Sequence, residues 1–311
     1  MDDRPAGTPS HPLDDRVSGA GELEERLRAA LARAVAEGRG VEALLDGAEE
    51  AVVARFPAMA SLVTLVDAAR AAWIAGGGAA LLSVLDSYGE RDVAARIASH
   101  LVARGRLPRR ILTLSRSGTV LGALAALARR RAGDGAGLPE VLVGEGRPEG
   151  EGRTMAADLA RAGYETRTVV DAALPALAAG TPAPRRVRLA PDDCWVVLGC
   201  DSAGPGGVVN KVGSFPLARA ARDAGVPVLV LASSRKLLPA DLPLPCEAGP
   251  SGGVEPGLLR FDFERVPWAD LTCLMLEDAA LDAPGALRRI DSLPPIEGPL
   301  LRRLIGVDAA T

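Results

Sequence analysis

The sequence is short of lysine, histidine and aromatic residues. Of its 36 basic residues only Lys211 and Lys236 are lysines, and the two histidines are His11 and His100. Aromatic residues amount to 3%, too few for the stacking platforms that single-stranded nucleic acid needs. A basic excess is also missing: the formal net charge is -4, which argues against direct nucleic-acid binding. The four cysteines, Cys194, Cys200, Cys246 and Cys273, include no CxxC pair, and the histidines stand far apart in sequence. A structural zinc site is therefore not expected. At this length four such cysteines do not read as a disulfide framework either, so a reducing, cytoplasmic setting is expected. The start MDDRPAGTPSHPLDDR is acidic and proline-rich without an apolar core, unlike a signal peptide. The longest apolar run, roughly residues 71–85, contains three consecutive glycines and reads as too short to span a bilayer.

What is present is a globular balance: 48% hydrophobic and 24% charged residues in 311 positions, ample for a real core. Residues 1–20 read as a disordered tail. Residues 21–105 read as a helical domain, with Leu23, Leu27, Leu31 and Val35 at four-residue spacing, then Val41, Leu44, Leu45, Ala48 and Val52, then Val93, Ile97 and Leu101. Residues 106–311 change character. Short apolar runs (111–114, 140–143, 165–170, 194–198, 226–231) alternate with helical stretches (119–130, 154–162, 174–179, 216–224). This alternation predicts βαβ units. The fold class expected is thus α/β: an N-terminal helical domain plus a Rossmann-like domain with a mainly parallel sheet. Residues 242–257, rich in proline and glycine, read as a surface loop.

Ligands in such folds bind beyond the carboxyl ends of the strands, so the loops there are the candidates. The first carries Ser115, Arg116 and Ser117 ahead of a helix. Ser117 or Thr119 can cap that helix, and Arg116 adds a fixed positive charge to an anion site. The second, Gly144-Glu145-Gly146-Arg147-Pro148, lacks the third glycine of a dinucleotide fingerprint; Arg147 is its candidate anion ligand. No GxxxxGK[ST] occurs, and no cofactor is expected. The fourth loop carries Gly199-Cys200-Asp201, then Asn210, Lys211 and Ser214, with Ser214 read as a helix N-cap. Asp201, at the end of a buried strand, is placed for acid/base work, and Asn210 and Lys211 for substrate hydroxyls or phosphate. Lys236 follows the next strand, which brings both lysines to one rim and points to an anionic ligand.

In their order and spacing these motifs resemble a superfamily over roughly residues 40–275. It holds the alpha, beta and delta subunits of eukaryotic initiation factor 2B, ribose-1,5-bisphosphate isomerase and methylthioribose-1-phosphate isomerase. The matching residues are Ile111-Leu112-Thr113-Leu114-Ser115-Arg116-Ser117; Glu145, Arg147, Pro148 and Gly152; the Asp171 region; Gly199-Cys200-Asp201 with Val209-Asn210-Lys211-Val212-Gly213-Ser214; and Phe263-Glu264-Arg265-Val266-Pro267. The resemblance implies a homodimer that takes a phosphorylated small molecule. In the isomerases a cysteine of the first loop and an aspartate of the fourth open an aldose 1-phosphate and isomerise it to a ketose phosphate. Asp201 matches the aspartate; Ser115 stands at the cysteine position and Leu114 at that of the preceding histidine. The isomerases' Arg-Gly-Ala motif has its nearest counterpart in Ala68-Ala69-Arg70. A serine hydroxyl does not ionise near neutral pH without an adjacent base. Three readings follow: an initiation-factor-2B-like chain, translation-related by resemblance, that binds a sugar phosphate or nucleotide; an aldose-ketose isomerase using Asp201; and an interaction subunit with a vestigial pocket.

Overall fold

The computed structural model describes residues 11–14, 19–89, 92–134, 137–180, 193–244, 247–248 and 259–306. Most of the expected tail, most of the 242–257 loop and Cys246 lie outside the described residues. Four helices come first: α1 (Ala20–Glu37), α2 (Val41–Arg55), α3 (Ala60–Ser87) and α4 (Val93–Ala103). The leucines at four-residue spacing are the reason for α1: Leu23, Leu27 and Leu31 lie on one face and are fully buried against α2 and α3.

The helix α3 is longer than the apolar run suggested. Its first ten residues, Ala60–Ala69, are almost all buried, whereas Ile74 and Leu82 in its second half are exposed. By length and composition alone it could cross a membrane, the one such helix among the described residues. Its backbone leaves helical geometry at Gly76 (φ -153°, ψ 17°) and Gly77 (φ 60°, ψ -146°). That break interrupts the hydrogen-bond ladder which a lipid-exposed span must keep whole.

The alternating part then builds β1 (Arg110–Leu114), α5 (Gly118–Asp134), β2 (Glu140–Gly144), α6 (Glu151–Arg161), β3 (Thr166–Val169), α7 (Ala173–Ala178) and β4 (Cys194–Leu198). Next come β5 (Ser202–Gly204), β6 (Gly207–Lys211), α8 (Ser214–Asp223) and β7 (Val228–Leu231). The chain closes with the short pair β8 (Glu247–Ala248) and β9 (Leu259–Arg260), then β10 (Phe263–Val266), β11 (Cys273–Met275), β12 (Ala280–Leu281), α9 (Ala283–Asp291) and α10 (Pro299–Leu304). Seven strands form one sheet in the order β12-β11-β7-β4-β1-β2-β3. All neighbours are parallel except β11 and β12. The central strands are buried on both faces, with Leu112, Val196 and Val230 in one apolar cluster and Ile111, Val197 and Leu229 in another. The expected α/β class with a mainly parallel sheet is what is found. The hairpin β5–β6, paired with β10 into a second small sheet, is a departure, because its residues read as a loop.

The last helix returns to the first ones. Leu300 and Leu301 of α10 are buried in the same apolar cluster as α1–α3. Asp67 of α3 accepts the backbone N–H groups of Leu300 (2.9 Å) and Leu301 (2.8 Å), so a side chain from α3 caps α10. Asp67→Ala leaves two buried donors without partners and is expected to cost about 2–3 kcal/mol. Urea unfolding with an unchanged m value checks this.

Candidate functional site

A cavity of about 650 Å³ lies between the carboxyl ends of β1, β4 and β7 and the helices α1 and α3. Ser115 follows β1 directly. Its φ of 63° is in the left-handed region, the one such non-glycine among the described residues. Such strain persists only where the surroundings enforce it. Here the turn sends the buried hydroxyl inward, where it donates to Glu151 Oε1 at 2.7 Å. Glu151 opens α6 and is 8% exposed. Lys211 Nζ meets the same Oε1 at 3.0 Å and lies 3.6 Å from Glu149 Oε2. Glu151 Oε2 is buried and has no hydrogen-bond partner among the described residues.

Asp201 stands across the cavity, just beyond β4. Its N–H donates to the Val209 carbonyl (2.8 Å), and its own carbonyl accepts from Ala60 N–H (3.0 Å) at the start of α3. Its half-buried carboxylate makes no hydrogen bond to another described residue. Burial pushes that carboxyl up, against the opposing attraction of Lys236 and Lys211. Lys236 sits in a short 3-10 turn whose Ser234 is tied to Glu277, through N–H at 2.9 Å and Oγ at 2.5 Å. Its ammonium is 8% exposed by residue and donates to the Cys200 carbonyl at 2.5 Å. Among the described residues Lys236 forms no ion pair within 4 Å. The adjacent Cys200 thiol is fully enclosed and pushed up to about 12 by burial, so it stays protonated at neutral pH.

Most of the residues singled out from sequence meet here. Ser115, Arg116, Ser117, Asp201, Asn210, Lys211 and Lys236 all line the cavity. Ser117 Oγ accepts from Val120 N–H (3.4 Å) and caps α5 as expected. Arg116 is not a bare charge, since it pairs with Glu22 of α1 and with Asp158 of α6 at 3.3 Å. Asn210 is buried and donates to Ser214 Oγ (2.8 Å), which in turn donates to the Lys211 carbonyl (2.7 Å). Ser214 is therefore not the N-cap of α8. Gly213, at φ 100°, takes that position, and the Glu264 carboxylate accepts Phe215 N–H at 2.6 Å. Arg147 does not join the cavity. Its side chain is exposed, and Asp171 turns the loop by accepting Gly146 N–H (2.9 Å) and Arg147 N–H (2.8 Å). Arg70 is likewise elsewhere, paired with Asp46 and Glu49 of α2.

The charged groups missed include Glu22, Glu24, Glu149, Glu151 and Arg235. Arg235 donates to Glu24 Oε1 (3.3 Å) and to the carbonyls of Ser87 (2.7 Å) and Tyr88 (2.8 Å) at the end of α3. Its guanidinium also stacks over the Tyr88 ring at 4.7 Å. The signals available were its position beside Lys236 and, for Glu151, its place between two glycines.

The chain is 34% identical over 206 residues to a protein of Nocardia farcinica named probable bifunctional methylthioribose-1-phosphate isomerase/methylthioribulose-1-phosphate dehydratase. That similarity covers 61% of this chain but 34% of the relative, so the chain spans about a third of that protein's length. It is also 34% identical over 104 residues to the ribose 1,5-bisphosphate isomerase of Archaeoglobus fulgidus, covering 33% of this chain and 29% of that one. Among solved structures it is similar to the Pyrococcus horikoshii OT3 translation initiation factor eIF-2B. The TM-score is 0.69 at 24% identity, over 88% of this chain and 94% of that one, a likeness of fold. The sequence profile of the initiation factor 2 subunit family matches residues 78–242, more than half of the chain and most of the loops that build the cavity; the chain belongs to that family.

Proposed function

We propose that the cavity binds a phosphorylated sugar or nucleotide without the thiol–carboxylate turnover of the related isomerases. One observation carries this reading. The hydroxyl of Ser115, at the position the resemblance assigns to the catalytic cysteine, donates to a carboxylate that Lys211 already neutralises. A hydroxyl in that setting stays neutral, because a carboxylate is far too weak a base to ionise an alcohol. Asp201, Asn210 and Lys236 then serve to hold hydroxyls and phosphate. The same reading takes the chain as a cytoplasmic homodimer. A second reading rests on Asp201 itself. Its carboxyl is raised by burial and unbonded, as an acid/base would be, and the buried Glu151 Oε2 in the same cavity lacks a hydrogen-bond partner among the described residues; these favour an aldose-ketose isomerase as the alternative.

Phosphorus NMR with aldose 1-phosphates, aldose 1,5-bisphosphates and nucleoside monophosphates separates the two. The expected result is shifted or broadened ligand resonances without a new species; a ketose-phosphate resonance would make it an isomerase. No change with any compound would leave the interaction-subunit reading. Asp201→Asn adds an independent check. A carboxyl raised in the folded state binds its proton more tightly there, so its contribution to stability falls as pH rises through the window above the unfolded value. At pH 7 the neutral amide removes that penalty, and a gain in Tm of about 2–4 °C is expected. The gain should vanish below about pH 3, where the parent carboxyl is protonated in both states. A binder loses little affinity in this variant, because the amide can still hydrogen-bond a hydroxyl; an isomerase loses turnover while keeping ligand.

A further inference from the structure

Two cavity arginines are gripped by the same helix turn. Arg116, from the loop after β1, pairs with Glu22, and Arg235, from the loop after β7, pairs with Glu24. Residues two apart on a helix point about 200° away from each other, so the arginines hold the start of α1 from two sides. Each arginine also has a second partner that the glutamates do not share. Arg116 keeps Asp158 of α6 at 3.3 Å. Arg235 keeps the α3 carbonyls of Ser87 and Tyr88 and its stack on the Tyr88 ring. Both guanidinium groups would therefore stay in place if the glutamates left.

We propose that Glu22 and Glu24 form a clasp: internal counter-anions that a ligand phosphate displaces from Arg116 and Arg235, loosening the first turn of α1 as the ligand enters. This rests on the reading of the cavity as a phosphate-ligand site. A phosphate dianion carries more charge than a carboxylate and matches the guanidinium fork, so it is the stronger partner. The Glu22 carboxylate is 36% exposed, so that pair is the weak half of the clasp, whereas Glu24, 13% exposed, is the firmer half. The helix itself does not depend on them, because Leu23, Leu27 and Leu31 remain buried beneath it. Loss of the clasp thus frees one turn and leaves the rest of α1 docked. The glutamates also give selectivity: a neutral sugar cannot replace them, and its entry would leave the pairs intact.

The test is calorimetric titration of the full chain and of the Glu22→Gln/Glu24→Gln variant with inorganic phosphate and with ribose 1-phosphate. The variant is expected to bind both about 10-fold more tightly, since two competing carboxylates are gone. Equal or weaker binding would mean the glutamates hold the arginines for the ligand, and overturns the clasp while leaving the site. Hydrogen exchange on the wild-type chain gives a readout that needs no variant. The amides of Glu22, Leu23 and Glu24, the first hydrogen-bonded ones of α1, should exchange faster with phosphate bound; protection there overturns the proposal. If the double variant does not fold, Glu24→Gln alone and the wild-type exchange decide. Binding of neither probe to either protein overturns the clasp as well, while the wider ligand panel decides separately on the site.

Discussion

Gly152→Ala is expected to lower stability by about 3 kcal/mol or more and Tm by about 10 °C, because its added Cβ makes the closest backbone overlap of any described glycine. Gly152 is the second residue of α6, where the helix lies against the end of β2. A Cβ there would overlap the Gly144 carbonyl oxygen and come within 2.8 Å of its carbon and 2.9 Å of the Glu145 carbonyl carbon. All three are backbone atoms, so no side chain can swing aside. The Gly152 N–H also donates to the Glu145 carbonyl at 2.9 Å, which ties the helix start to the strand end. To fit a methyl group, α6 must move away from β2. Glu151 moves with it, and with Glu151 go its bonds to Ser115 and Lys211. Loss of ligand binding should therefore accompany loss of stability. Gly21→Ala is the control. It lies in the first turn of α1, where a Cβ meets nothing within 4 Å, and it should leave stability equal or raise it by up to about 1 kcal/mol. If both substitutions behave alike, the close approach of α6 to β2 is wrong.

The contrast between these glycines marks what the sequence could and could not reveal. The leucines of α1 and the apolar runs of β1, β2, β4 and β7 announce themselves because their signal is local and periodic. The hairpin β5–β6 does not. Its strands are three and five residues long, joined by the two residues Pro205-Gly206, and β6 finds its other partner, β10, some fifty residues later. A pairing that distant leaves no trace in a local pattern. The site shows the same division. Asp201, Asn210 and Lys236 could be placed because strand ends in a parallel sheet converge. Their electrostatic partners could not. Arg116 read as a bare charge because Glu22 is 94 positions away. Lys211 read as a phosphate ligand because nothing local shows Glu151 folded back onto it. A glutamate in a Gly-Glu-Gly stretch looks solvated, and only its bond to Ser115, 36 positions away, reveals it as buried. Arg147 misled in the opposite direction: the Asp171 carboxylate that turns its loop outward is 24 residues further on.

That pairing pattern decides which cation matters most to an incoming ligand. Lys236→Met is expected to weaken binding of a phosphorylated ligand about 100-fold, with the fold intact. Lys211 is spoken for by Glu149 and Glu151, and Arg116 and Arg235 each carry a glutamate of α1. Lys236 alone of these four has no carboxylate within ion-pairing distance among the described residues, yet it is the most deeply enclosed. A buried ammonium with no carboxylate within ion-pairing distance is costly, and its cost is relieved when an anion arrives; truncating one member of such a pair typically loses 2–5 kcal/mol or so of binding. Methionine matches the stem in length and leaves only the Cys200 carbonyl without its donor. The variant should therefore unfold within about 1 kcal/mol of the parent. Asp201 supplies an internal check on the same substitution. The attraction of Lys236 is the larger of the two that oppose burial at that carboxyl, so its removal must raise Asp201 further. Carbon-13 NMR of the Asp201 carboxyl in the parent and in Lys236→Met should show the titration moving to higher pH. A weakened ligand with an unmoved Asp201 would mean that Lys236 acts on the ligand from farther away than the cavity geometry places it. A moved Asp201 with undiminished binding would assign the phosphate to the arginines alone.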